Sequence, residues 1–241
     1  MDHPLDRPLW NALTGRLKTF TVGGRDAVRI HPDVGVFLAC ADASDDSRAA
    51  LNALSAAYPG SGLVERTDGP MAGVTPDGPI ASISPCVQMS ATGLTASRAP
   101  ALSGVVALSD PDAAEMLALA TLTRPGPFRT STHRLGGFIG VRRDGALIAM
   151  AGTRLRVDGF TELSGVCVHP AHRGRGLAGT LSRIVVDRIL ATGEQAFLHA
   201  YVGHEATIRL YQGLGFTVRA SMTYTVMAEP ESVDERASIN H

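Results

Sequence analysis

The stretch from Ser164 to Thr180 constrains this chain more than any other. An apolar, strand-like run ends at Pro170, a loop rich in Arg and Gly follows, and an amphipathic helix opens at once. That order builds an anion cradle. Gly174, Gly176 and Gly179 let the backbone come close to a ligand, and several N–H groups converge on a helix N-terminus. The macrodipole there is worth roughly +0.5 charge, so a phosphate or pyrophosphate is the natural occupant. Arg173 and Arg175 add charge-assisted donors, and His169 and His172 flank the loop as polar groups.

Two nucleotide-binding patterns fit the stretch poorly. The glycines at 174, 176 and 179 satisfy the dinucleotide fingerprint, but five residues separate Val168 from Gly174, where that turn needs the glycine straight off the strand. Glu194 comes before the apolar run Ala196–Tyr201, whereas a ribose-binding acid should close it. A P-loop requires a lysine before Thr180, and none is there.

Read instead as Arg173-x-x-Gly176-x-Ala178 after Val166-x-Val168-x-Pro170, the stretch resembles motif A of the GCN5-related N-acetyltransferases (GNAT). That motif, Q/R-x-x-G-x-G/A, cradles the pyrophosphate of acetyl-CoA. Thr207–Phe216 resembles motif B, whose helix ends in Leu-Tyr-x-x-Leu-Gly-Phe. The resemblance covers roughly residues 103–228, and the sequence resembles the FR47-like branch. It implies an α/β (α+β) fold with a mixed central sheet and flanking helices. The strand Thr161–Val168 and the strand Phe197–Val202 are expected to splay apart and admit acetyl-CoA as co-substrate.

The family also implies roles. Backbone groups of Val166, Cys167 and Val168 would hold the pantetheine arm, and one N–H of that run would polarise the thioester carbonyl. Arg173, Gly174, Arg175, Gly176, Leu177, Ala178 and Gly179 would hold the pyrophosphate. Tyr211 would touch the cofactor and protonate the departing thiolate; otherwise it is an aromatic packed beneath Phe216. His204 stands where many relatives have an asparagine touching CoA, or else simply starts a helix. The base stays open between Glu162 and His199. With a period of two, Glu162 shares a face with Ser164, Val166 and Val168. His199 has the imidazole suited to neutral pH, yet a lone His on an apolar strand is often a hydrogen-bonded core residue. Cys167 falls in register with Gly165 and Leu163, which suggests a buried thiol and not an acyl carrier. The histidines between 169 and 204 lack metal-ligand spacing, so no metal is expected.

Residues 1–100 carry no cofactor motif. Strands at Thr19–Val22, Ala27–His31, Val34–Ala41 and Ile80–Met89, with helices at Pro8–Leu17 and Ser44–Tyr58, suggest a degenerate acetyltransferase-like half; an unrelated α+β cap is the alternative. Residues 101–230 are the expected catalytic domain, with the last two strands between Phe216 and Met227, and 231–241 a tail. A loop and short helix at Thr123–Thr132 should cover the acceptor site, where Phe128, Arg129 and Arg134 would suit a carboxylate-bearing amine.

A net charge of −1 argues against nucleic acid, and no apolar run approaches the ~20 residues that span a bilayer. Three cysteines without paired spacing, and no basic segment leading into an apolar one at Met1, fit a cytoplasmic protein. A homodimer stays open. The expected activity is acetyl transfer to a primary amine, of a small molecule or amino acid, in a ternary complex. The rivals are a protein N-terminal acetyltransferase and a non-enzymatic acyl-CoA sensor.

Overall fold

The computed structural model describes residues 3–96 and 104–229. The expected junction at 100/101 and the tail 231–241 lie outside the described residues. Helix α1 (Pro8–Thr14) leads into three short antiparallel strands, β1 (Thr21–Gly23), β2 (Ala27–Ile30) and β3 (Leu38–Cys40). Helix α2 (Asp45–Ala57) follows. Ser44 caps it by accepting from the Ser47 N–H, two acids occupy its first turn, and Leu51 is buried beneath it. Strands β4 (Gly62–Arg66) and β5 (Ile80–Ala91) complete the first half. The sequence reading has no strand at Gly62–Arg66: the Glu-Arg end of that short run hides its apolar start.

The second half runs β6 (Val105–Leu108), α3 (Ala113–Thr123), β7 (Phe138–Arg143), β8 (Ala146–Val157), β9 (Phe160–Val168), α4 (Leu177–Ala191), β10 (Gln195–Tyr201), α5 (Glu205–Leu214) and β11 (Thr217–Met227). The β7–β8 turn follows its Asp-Gly signal, with Asp144 and Gly145 both at positive φ. Leu177, Leu181, Val185, Val186 and Ile189 form the buried stripe of α4 against β8 and β9. Each such side chain is worth roughly 1.5–3 kcal/mol when fully removed from water.

One eight-stranded sheet joins the halves in the order β4-β11-β5-β10-β9-β8-β7-β6. Every pairing is antiparallel except that of β9 with β10. Two expectations change here. In place of two strands between Phe216 and Met227 there is one, β11, and the strand beside it is β5, supplied by the first half. Between α3, which ends at Thr123, and a short 3-10 turn at Thr132–Leu135, residues 124–131 form no helix: Pro125 and Pro127 remove N–H donors around Gly126. No helix of the described residues is long and apolar enough to cross a membrane.

Candidate active site

Strands β9 and β10 pair over only three positions, Phe160–Glu162 against Gln195–Phe197. Beyond them the strands part, and a cavity of about 410 Å³ opens between. Leu163, Ser164, Gly165 and Val166 form one wall, Ala200 and Tyr201 another. From Leu163 onward the β9 edge facing this gap has no strand partner among the described residues, so its backbone donors and acceptors are free for a ligand.

A bulge shapes that edge. Ser164 lies opposite Gly152 but Cys167 lies opposite Met150, so β9 carries one extra residue. Gly165 takes it up at φ +62°, and a Cβ there would sit 2.7 Å from the Phe138 ring. The extra residue breaks the period-two reading. Val166 and Val168 pack with Leu163 on the α4 side, whereas Cys167 lies with Met116, Phe138 and Met150 on the α3 side. Cys167 is buried, as expected of it, and burial pushes its thiol up to about 11.

The cradle follows. His169 Nδ1 accepts from the Ala171 N–H, which starts a 3-10 turn at Pro170–His172. Gly176 precedes α4 at φ +73°, and the Thr180 N–H to Gly176 carbonyl bond is the first of the helix. The N–H groups of Leu177, Ala178 and Gly179 come before it and have no intrahelical acceptor. Arg173 and Arg175 are exposed, and Arg173 reaches the cavity wall. Of the other expected cofactor residues, Val166, His204 and Tyr211 line the cavity; Cys167, Val168 and Gly174–Gly179 do not.

At the point where the strands part sits a buried polar chain. Arg154 grips Glu162 through two bonds, Nε to Oε2 and Nη2 to Oε1, each 2.8 Å. The Leu155 N–H adds a third at 3.2 Å. His199 Nδ1 lies 2.8 Å from Glu162 Oε1, and its Nε2 lies 3.2 Å from Gln88 Nε2 on β5. Gln88 also donates to the Leu5 carbonyl and accepts from Arg219, which fixes its amide orientation. Gln88 is therefore a donor to His199 Nε2. The network assigns the proton of the neutral imidazole to Nδ1, where it is donated to Glu162. Burial pushes the Glu162 carboxyl up, but the charge and hydrogen bonds of Arg154, helped by His199, hold it at about 2.

Tyr211 fits both of its readings at once. Its ring packs edge-on against Phe216, 5.9 Å between centroids, while the side chain lines the cavity. Burial pushes its phenol upward. His204 precedes α5 without a side-chain cap bond and packs on Tyr201. The loop at Thr123–Pro127 covers the cavity, but Phe128, Arg129 and Arg134 do not line it. Arg134 is engaged by Asp110, and Phe128 meets Phe138 edge-on. Sequence reasoning did not single out Arg154, Gln88, Phe37, Tyr201 or Tyr224, all buried or half-buried around the site. The available signal was a charged or amide residue inside an otherwise apolar strand, at Arg154 and at Gln88.

A strand gap with an anion cradle at one end and a buried titratable pair at the other defines an acyltransferase. Comparison with known proteins makes the class specific. A putative acetyltransferase of the GNAT family from Novosphingobium aromaticivorans is 39% identical, with a TM-score of 0.81, over 95% of this chain and 99% of that one. The FR47-like protein family model matches residues 138–226. The chain belongs to the GNAT family. A GCN5-related N-acetyltransferase from Kribbella flavida shares the fold at 22% identity, with a TM-score of 0.64 over 93% of this chain and 95% of that one. An L-methionine sulfoximine/L-methionine sulfone acetyltransferase from Salmonella typhimurium is 40% identical over 68 residues. That match covers 27% of this chain and 40% of the relative's length.

Proposed function

We propose that this protein transfers an acetyl group from acetyl-CoA to the primary amine of a small molecule, amino acids included, by direct attack in a ternary complex. The observation that carries the reading is the gap between β9 and β10, with free backbone along one wall and Tyr211 and His199 on its surface. Acetyl-CoA fits the residues present: the uncapped start of α4 with Arg173 and Arg175 suits a pyrophosphate, and the β9 edge suits an amide-bearing arm. When bound it supplies the activated thioester. The Salmonella relative is named for small amino-acid acceptors, which supports an acceptor of that size.

Three tasks fall to the chain. A β9 N–H polarises the carbonyl as the amine adds to it. Tyr211, kept protonated by burial, donates to the sulfur as the C–S bond breaks. The ammonium's proton goes to His199 Nε2. The N–H···N contact from Gln88 is worth about 1 kcal/mol net and gives way to it. Glu162 orients the imidazole through its contact with Nδ1. Glu162 as the base finds no support here, because Arg154, Leu155 and His199 occupy its oxygens and its carboxyl is held far below neutrality. The buried, unpaired thiols of Cys40, Cys86 and Cys167 go with a cytoplasmic location. On this reading residues 1–100 are the non-catalytic half and 101–230 the catalytic one, sharing a sheet through β5.

The test is release of CoA thiol from acetyl-CoA against a panel of amines, amino acids and peptides. Acceptor-dependent release should fall about 10²-fold or more in Tyr211→Phe and in His199→Gln, with acetyl-CoA affinity kept. Full activity in both variants would remove these assignments. Tight acetyl-CoA binding without release for any acceptor would point to a sensor.

A further inference from the structure

A second cavity, of about 270 Å³, lies under the connection between β4 and β5. It shares no residue with the acyl-transfer cavity, and strand alternation explains why. Val64 and Tyr224 line the first, while Leu63, Glu65, Thr223 and Thr225 on the same strands β4 and β11 line the second. The two cavities occupy opposite faces of one sheet.

Glu65 is the anomaly in this cleft. It is 8% exposed, yet among the described residues nothing donates a hydrogen bond to its carboxylate. The charged and titratable groups around it are committed elsewhere. Arg66 is spent on Asp6 and Asp68, and Arg7 donates to the carbonyls of Cys40 and Ala41. Burial raises the Cys40 thiol, so it stays neutral. Thr223 bonds to Thr67. Burial pushes the Glu65 carboxyl up to about 7, against the pull of Arg7. Leu63, Met71 and Val74 give the cleft an apolar wall, Arg66, Thr67 and Thr75 line it as well, and Ile83 stands 62% exposed at the rim. A buried carboxylate whose neighbouring charge, Arg7, gives it no hydrogen bond is costly, and an apolar wall beside it asks for a ligand with a hydrocarbon body. One carboxylate with threonine hydroxyls is too poor a donor set for a metal ion.

We propose that this cleft binds a small alkylammonium ion, its charge against Glu65 and its chain along Leu63, Met71 and Val74. The site is built from β4 and the connection to β5, with β11 of the other half as one wall, and it stands independently of the acyl-transfer reading.

Calorimetric titration of the full chain with hexylammonium at pH 8, with no acyl donor present, tests it. Saturable one-to-one binding is expected, weakened at least tenfold in Glu65→Gln and at least tenfold for hexanol. The affinity should fall as the pH drops from 8 to 6 and the carboxyl protonates. Thr225→Met, which narrows the cleft and leaves Glu65 in the sequence, should also lose binding, and this variant decides the matter if Glu65→Gln folds poorly. Binding that survives both substitutions comes from elsewhere and overturns the proposal. So does equal affinity for hexanol, or no saturable binding to the wild type.

Discussion

Glu162 and Glu65 are both buried in the same sheet, and their neighbours drive them in opposite directions. Burial opposes ionisation at each, but Arg154 overrides it at Glu162, which stays at about 2. At Glu65 burial wins: Arg7 pulls on the carboxyl without a hydrogen bond to it, and it rises to about 7. The linkage signs differ accordingly. Glu162, lowered from 4.5, contributes stability present above that value and lost as pH falls through its folded value near 2. Glu65, raised from 4.5, contributes stability that is full below that value and lost as pH rises through about 7. The wild type therefore holds a strained carboxylate at pH 8, at a cost of up to about 3 kcal/mol. Urea melts should find Glu65→Gln more stable than wild type at pH 8 and equal to it near pH 4. A difference independent of pH would refute this account. The resemblance to relatives singled out Glu162 as a candidate through its place near the start of β9. It could not show Arg154 as the partner, because eight positions of chain and a bulge in β8 lie between them, and cross-strand pairing is set by register.

At the scale of the element, the bulge in β9 decides which side chains meet the gap between β9 and β10. Motif spacing located the strand, the cradle and the helices α4 and α5 closely, since these depend on local signals such as glycine turns and helical periodicity. The face of each β9 residue beyond Ser164 did not follow, because a single inserted residue reverses the alternation on which such readings depend. Gly165→Ala should expose the device. A left-handed residue with a Cβ costs roughly 1–2 kcal/mol before the contact with Phe138 is counted. Denaturation should show a loss of about 2 kcal/mol or more, and calorimetry should show weaker acetyl-CoA binding. If both stay at wild-type values, the bulge does not depend on the glycine.

Across the whole molecule, the order of strands in the chain differs from their order in the sheet. Chain order was readable from the sequence; the insertion of β5 between β10 and β11 was not, because no local signal records a partner more than a hundred residues away. The buried polar chain crosses the same seam, from His199 through Gln88 to Leu5. Residues 104–241 expressed alone should leave β10 and β11 with bare edges and give no soluble, cooperatively melting protein. Co-expression with residues 1–96 should recover a soluble complex that binds acetyl-CoA. A stable, active fragment on its own would show that the seam is dispensable. The same seam imposes a timetable on the ribosome. Strand β5 is made first, but β10 and β11 emerge only about a hundred residues later, on the order of ten seconds at ordinary elongation rates. Through that interval the nascent chain carries a long, half-apolar strand with neither neighbour in place. That interval is when the chain is most open to aggregation and to capture by chaperones.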